Sequence, residues 1–157
     1  MRASPQTGGM SIVTAVDGST LDDPTVATGY ELAEAFGETL YVLHVVPEEE
    51  FEAHLEEIES LDREADYSLT QEENSAARLA HDVLEGSLEE YDPKAVEAIG
   101  RVGEPTEEVM AVARERDARY VVVGGRRRSP VGKALFGSTT QELLLESDRP
   151  VVTVMRD

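Results

Sequence analysis

The part of this 157-residue chain richest in chemical groups is residues 123–140, Val-Gly-Gly-Arg-Arg-Arg-Ser-Pro-Val-Gly-Lys-Ala-Leu-Phe-Gly-Ser-Thr-Thr. Gly124 and Gly125 suit a sharp backbone turn and let a ligand approach with no side chain in the way. Gly137 and Ser138 stand where a helix should begin, and the free N–H groups and dipole of a helix start favour anions. Arg126 and Arg127, between them, carry planar forks matched to phosphate oxygens. Together these are the parts of a phosphate cradle. A purely local role competes for the serine: Ser138-Thr139-Thr140-Gln141 has capping-box spacing, with Ser138 as N-cap and Gln141 reaching back. The two roles are compatible, because an N-cap hydroxyl beside free amides also meets a phosphate.

Charge distribution points the same way. The net charge is −19, from 33 acidic and 14 basic residues. Residues 48–90 hold sixteen of the acids against only Arg63 and Arg78, whereas between Asp117 and Glu142 there is no acid at all. That acid-free stretch contains Arg119, Arg126, Arg127, Arg128 and Lys133, a basic island in an acidic protein. Local field rather than net charge decides where an anion docks. The acidic remainder repels a nucleic-acid backbone, so a small phosphorylated ligand fits better than DNA or RNA.

Several chemistries are excluded. With no cysteine, disulfides, thiolate catalysis and Cys-based metal sites are out. No apolar run approaches the ~18–20 residues of a membrane span. Gly132-Lys133 is followed by Ala134 and preceded by Arg127 where a P-loop needs glycine, and no Gly-x-Gly-x-x-Gly follows the first strand. A phosphoacceptor receiver needs an aspartate ending its third strand and a lysine ending its fifth; here Val102-Gly103-Glu104 and Met155-Arg156 stand there. His44 reads as a strand-end histidine with a local hydrogen bond, and His54 and His81 as solvent-facing residues of acidic helices. Asp17 reads equally as an acid or as a turn residue bonding the amide two positions on. No nucleophile–base constellation argues for efficient turnover, so any turnover of a bound ligand is expected to be slow and incidental.

The elements that must position these residues alternate in type. Ile12-Val13-Thr14-Ala15-Val16, Leu40–Val46, Val96–Val102, Tyr120–Val123 and Val151–Met155 are short apolar or alternating runs, as strands require. Between them lie helical patterns. One opens with Asp23 as N-cap and Pro24 at the first helical position. Two acidic ones occupy 48–90, the second with an Ala76, Ala80, Val83, Leu84 stripe, and about 60–72 reads as a loop. Others carry Val109, Val112 and Ala113, and Leu143 to Leu145. Strands alternating with helices predict a single-domain α/β fold with a doubly wound parallel sheet. Its ligand would lie beyond the carboxyl ends of the strands. Residues 1–9 read as a flexible polar tail before a domain spanning 10–157, and the chain as cytoplasmic.

Over residues 10–156 the chain resembles the universal stress protein (UspA-like) family. The resemblance is carried by Val16-Asp17-Gly18-Ser19, Leu43-His44-Val45-Val46, Val102-Gly103-Glu104-Pro105 and Pro150-Val151-Val152-Thr153-Val154. It is strongest in the glycine loop, where the ATP-binding branch of that family has Gly-x2-Gly-x9-Gly-Ser/Thr. Gly124 matches its first glycine and Gly137-Ser138 its end. The resemblance implies a five-stranded Rossmann-like sheet in order 3-2-1-4-5, related to the adenine nucleotide alpha hydrolases, and a homodimer formed through the last strand, Val151–Met155. It implies that Asp17 and Val45 contact a nucleoside, with Ala15 and Val123 lining the cleft. The phosphates would lie over Gly124, Arg126, Arg127, Gly137, Ser138 and Thr139, with any Mg²⁺ carried by the nucleotide. Position 127 departs from the pattern: its arginine either blocks close backbone approach or replaces amide contacts with a guanidinium, so AMP, ADP or another adenine nucleotide stands beside ATP.

Two functional classes follow: a stress-response regulator that binds an adenine nucleotide, and a dimeric scaffold of the same fold that acts through protein contacts. Lys94 and Lys133 are the only lysines against twelve arginines, which with the arginine-rich loop looks like a haloarchaeal member. Crowded carboxylates repel one another at low ionic strength and are screened at high. Raising KCl from about 50 mM to about 2 M is therefore expected to raise the melting temperature by roughly 4 °C or more, about 1 kcal/mol for a chain of this length. A circular-dichroism melt that does not move would contradict this.

Overall fold

A run of apolar residues in mid-sheet has neighbours on both edges and both faces, and that is the position of β1 (Ser11–Val16), whose Ile12, Val13 and Thr14 are fully buried. The computed structural model describes residues 9–64, 66–127 and 133–157; residues 1–8 of the expected tail, Arg128 and Gly132 lie outside them. After β1 come α1 (Pro24–Phe36), β2 (Thr39–Val46), α2 (Glu48–Leu61), α3 (Leu69–Ser87), β3 (Val96–Val102), α4 (Pro105–Glu115), β4 (Ala118–Arg126), α5 (Ser138–Glu146) and β5 (Val151–Arg156). The strands form one parallel sheet in order β3-β2-β1-β4-β5. This is the doubly wound sheet that the alternating pattern predicts, in the order that the family resemblance implies. Ile12 sits opposite Leu40 of β2 and Tyr120 of β4.

Side chains of a strand alternate between faces, so one sheet builds two cores. Ile12 and Val16 join Val26 and Ala33 of α1 and Ala80, Val83 and Leu84 of α3 on one face. Val13 joins Val109, Val112 and Ala113 of α4 and Leu143 of α5 on the other. Three helices close their first turn with their own side chains: Asp23 accepts from the Thr25 amide, Ser68 from Gln71 within a full capping box, and Glu104 from Glu107. Asp23 and Pro24 are the N-cap and first residue predicted for α1.

Helix α2 differs. Its seven glutamates leave it no buried residue, and it lies outside both cores. Leu144 and Leu145 of α5 also escape burial, at 46 % and 86 % exposure. A nine-residue helix lying on a sheet presents one stripe inward, and Leu143 occupies it.

Gly100 in β3 marks the tightest helix–sheet approach. A Cβ there would stand 2.1 Å from the Glu73 carbonyl oxygen and 2.4 Å from the Ala77 amide nitrogen of α3. Backbone cannot swing aside as a side chain does, so Gly100→Ala is expected to force α3 off the sheet and cost about 1–3 kcal/mol. A chemical-denaturation midpoint equal to that of the unsubstituted chain would show that α3 yields freely.

Candidate functional site

The strands all run one way, so every strand-to-helix connection emerges at the same end of the sheet. At that end β1 and β4 are neighbours whose following chains diverge to opposite faces, leaving a crevice. A cleft of about 730 Å³ fills it, within the range of small-molecule sites. Ala15, Asp17, Val45, Val123, Gly124, Arg126, Gly137, Ser138 and Thr139 all line it. Arg127, the tenth residue named from the sequence, does not. Its amide donates to the Arg156 carbonyl at 2.7 Å and its side chain is exposed, beyond the cleft wall.

The glycines divide by role. The sharp turn expected at Gly124-Gly125 is absent, because β4 stays extended to Arg126, where it pairs reciprocally with Leu135: each amide donates to the other's carbonyl. Gly125 is tightly packed: a Cβ would stand 2.8 Å from Met155 Sδ and 2.9 Å from Phe136 Cδ1, so those side chains would have to shift. Gly124 is under no such demand; its nearest contact would be Thr25 Cγ2 at 3.4 Å. Gly137 is freer still: among the described residues a Cβ would meet nothing within 4 Å, and its φ of −65° suits any residue. Packing does not explain that glycine, and the space above it opens into the cleft.

The capping box expected at Ser138 does not form. Gly137 is the N-cap of α5, with no side-chain cap bond, and the Gln141 side chain donates to the Phe136 carbonyl instead. The helix begins one residue early because Thr140 Oγ1 donates to the Gly124 carbonyl at 3.1 Å, docking the first turn onto β4. The first intrahelical bond runs from the Gln141 amide to the Gly137 carbonyl. The amides of Ser138, Thr139 and Thr140 precede it and have no intrahelical acceptor. The start of α1, on the facing wall, is by contrast closed by Asp23, whose Oδ1 accepts from both the Thr25 amide and hydroxyl.

The cleft carries both signs of charge. Arg126 and Arg156 line it at the carboxyl ends of β4 and β5, with Arg156 close enough to act on the Asp17 carboxyl, and Asp17, Asp23 and Glu50 line it as well. Valines and leucines from five elements, Leu43, Val45, Val109 and Val123 among them, supply apolar wall. The basic island read from the sequence is split. Arg119, near the start of β4, makes a two-pronged bond to Glu38 at 3.0 and 2.8 Å and lies over the Phe36 ring. A strand rises ~3.3 Å per residue, which puts Arg119 about 23 Å from Arg126, at the far end of the sheet.

Asp17 is the turn residue of the simpler reading: the Ser19 amide and hydroxyl donate to its Oδ1 at 2.9 and 2.8 Å. Gly18 completes that turn with a φ of 76°. His44 Nδ1 donates to the Val16 carbonyl at 3.0 Å, the strand-end bond expected of it. Pro24, Thr25, Thr140 and Arg156 also line the cleft and were not singled out from the sequence. Pro24 and Thr25 open α1 and Arg156 ends β5, each far in sequence from the glycine loop, while Thr140 was read only as part of a capping box. Among the described residues no group of three or more His, Asp or Glu side chains is placed to hold a metal ion.

Fold and cleft define a Rossmann-like α/β protein with a ligand crevice at the sheet's switch point. The sequence profile of the universal stress protein family matches residues 10–155, and the chain belongs to that family. A universal stress protein of Mycolicibacterium smegmatis (strain ATCC 700084 / mc(2)155) is 49% identical over 49 residues, which are 31% of this chain and 38% of that relative. The match thus spans little more than a third of the curated relative's length. The universal stress protein of Archaeoglobus fulgidus superposes with a TM-score of 0.60 at 25% identity, covering 92% of this chain and 98% of that one. A universal stress protein solved in complex with cAMP has a TM-score of 0.58 at 20% identity, covering 94% and 98%; that likeness is one of fold alone.

Burial opposes ionisation of Asp17, but the two bonds from Ser19, with Arg156 and His44 nearby, outweigh it and hold the carboxyl below its ordinary 3.8. A depressed carboxyl contributes stability that is full above 3.8 and is lost as pH falls through the folded-state value. Ser19→Ala is expected to bring the NMR titration of Asp17 upward and to reduce stability near neutral pH, with the deficit shrinking in acid. An unmoved titration would remove Ser19 from the account.

Proposed function

We propose that the chain is a nucleotide-binding regulator of the stress response, taking an adenine nucleotide in this cleft. The observation that carries the reading is the start of α5. Of the four helix starts that line the cleft, those of α1 and α4 are closed by side chains, and that of α2, though without a side-chain cap, crowds Glu48, Glu49 and Glu50 into its first turn; the start of α5 has neither cap nor acid, and beside Gly137 it opens onto a cleft that Arg126 and Arg156 also line. Free amides, a helix dipole and two guanidinium groups form an anion site without further help. The apolar wall from Val45 to Val123 suits a purine, and the Asp17 carboxylate accepts from ribose hydroxyls or an exocyclic amine. A divalent cation, if one accompanies the phosphates, is held mainly by the phosphates themselves. Structural relatives include one described with cAMP, a ligand of the same class.

Arg127 does not stand in the way in this arrangement, since its side chain lies off the cleft wall. Mono-, di- and triphosphates are therefore all admissible. The second side of β5 supports a homodimer through Val151–Met155: β5 pairs with β4 along one edge only, and its residues are half-buried in the single chain.

The test begins with the purified protein, denatured, and its released small molecules separated by ion-pair chromatography with mass detection. About one adenine nucleotide per chain, or a thermal upshift with millimolar AMP, ADP or Mg·ATP, is expected. Saturation at 100 times Kd would add about 2.7 kcal/mol. Gly137→Val meets no described residue, so it should lower the ligand-free melt only by the cost of a poorer N-cap, about 1 kcal/mol, and weaken binding at least tenfold, ~1.4 kcal/mol. Arg127→Glu should change affinity far less. An empty protein with no thermal shift would transfer the assignment to the scaffold class.

A further inference from the structure

Helix α2 leaves β2 at the cleft's rim, where Pro47 and Glu50 form part of the wall. Little holds it there. None of its residues is buried, and its side chains include seven carboxylates and a single group able to carry positive charge, His54. That histidine, 46 % exposed, reaches across to α3, where its Nδ1 lies 2.7 Å from Oε1 of Glu72. The Glu72 side chain is only 5 % exposed, and its other oxygen accepts from the hydroxyl of Tyr67, in the segment joining the two helices. Tyr67 in turn packs its ring against Phe51 of α2, centroids 6.4 Å apart. One buried carboxylate thus gathers the connecting segment and both helices.

A buried carboxylate is costly unless paired and hydrogen-bonded. Tyr67 supplies a hydrogen bond but no charge; a protonated His54 supplies both. Among the described residues no other ion pair reaches Glu72. Glu50 and Glu57 flank His54 on its own helix and repel Glu72, and Arg78 of α3 lies on the Tyr67 side. We propose that His54, Glu72 and Tyr67 form a proton-operated latch: with His54 protonated, α2 is held against the start of α3, and with His54 neutral, α2 comes free and the β2 side of the cleft wall loosens. His81, by comparison, faces Glu85 of its own helix, both half-exposed, and joins no two elements.

The titration of His54 agrees in sign. The bond His54 donates to Glu72 leads the causes that raise it above 6.5, outweighing burial and aided by the fields of Glu72, Glu50 and Glu57. A raised histidine contributes stability that is complete below 6.5 and disappears as pH climbs through the folded-state value. Burial and the bond to Glu72 push the Tyr67 phenol up, so it remains a donor throughout.

The experiment is amide hydrogen exchange of the full chain between about pH 6 and pH 9, corrected for intrinsic rates. Residues 48–61 are read against the buried half of α3 at 76–84. The latch predicts that protection of α2 falls at least tenfold relative to that reference as His54 titrates by NMR. His54→Arg, permanently charged, should keep α2 protected at both ends. His54→Gln, which donates a bond but carries no charge, should leave it unprotected already at pH 6. Both substitutions fall on a half-exposed side chain outside the cores. Equal relative protection at pH 6 and pH 9, or a His54→Gln chain whose α2 exchanges like the original at pH 6, overturns the proposal.

Discussion

A parallel strand covered by helices on both faces and by strands on both edges has no contact with water, so every group on it must be apolar or satisfied by its neighbours. β1 lives under that constraint, and the architecture follows from it. Its alternating side chains seed two cores, its two edges commit β2 and β4, and its only outlet is its carboxyl end, where Asp17 emerges. Thr14 is the exception that measures the constraint. Fully buried, its hydroxyl has no hydrogen-bond partner among the described residues and lies where a side chain on Gly29 of α1 would have to go. The glycine lets the helix settle onto the strand at the cost of one unsatisfied oxygen.

The crevice is the complement of this packing. Because the core excludes polar groups, those with chemistry are displaced to one end of the sheet, where two helix starts face each other. One is neutralised by its own aspartate and one is left open. That asymmetry, more than the cleft's volume, gives the site a direction: free amides at the start of α5 and carboxylates at Asp17 and Glu50. Arg119, Arg114 and Arg149 are instead tied to Glu38, Asp148 and Asp117 by pairs bridging elements at the opposite end. Arginine in this chain therefore does two jobs separated by the length of a strand.

Much of this was legible in the residues. The strands, the Asp23-Pro24 start of α1 and the buried stripe of α3 are local patterns with a period, and the structure reproduces them. The 124-to-137 spacing brought its residues to one place because both ends of it are tied to β4, by the Arg126–Leu135 pairing and the Thr140–Gly124 bond. What eluded pattern reading was decided by tertiary contact. Ser138 has capping-box spacing, yet docking of Thr140 onto Gly124 moved the cap to Gly137. Leu143-Leu144-Leu145 looked uniformly apolar, yet only Leu143 meets the sheet. The 119–133 run of cations looked contiguous because sequence distance hides the extension of a strand. Glu72 gave no sign of burial, since its partners lie in two other segments.

The strand order has a further consequence during synthesis. β1 pairs with β2 almost as soon as both are made, but its other edge waits for β4, some eighty residues later. At about 5–20 residues per second that is an interval of several seconds or more. Throughout it, an apolar strand stands with an open edge, the usual template for pairing between chains. The segment that emerges in the meantime is residues 48–90, the most acidic of the chain. Nascent chains carrying it repel one another while the central strand is still incomplete, so the charge that contributes least to the finished core guards the core while it is being assembled.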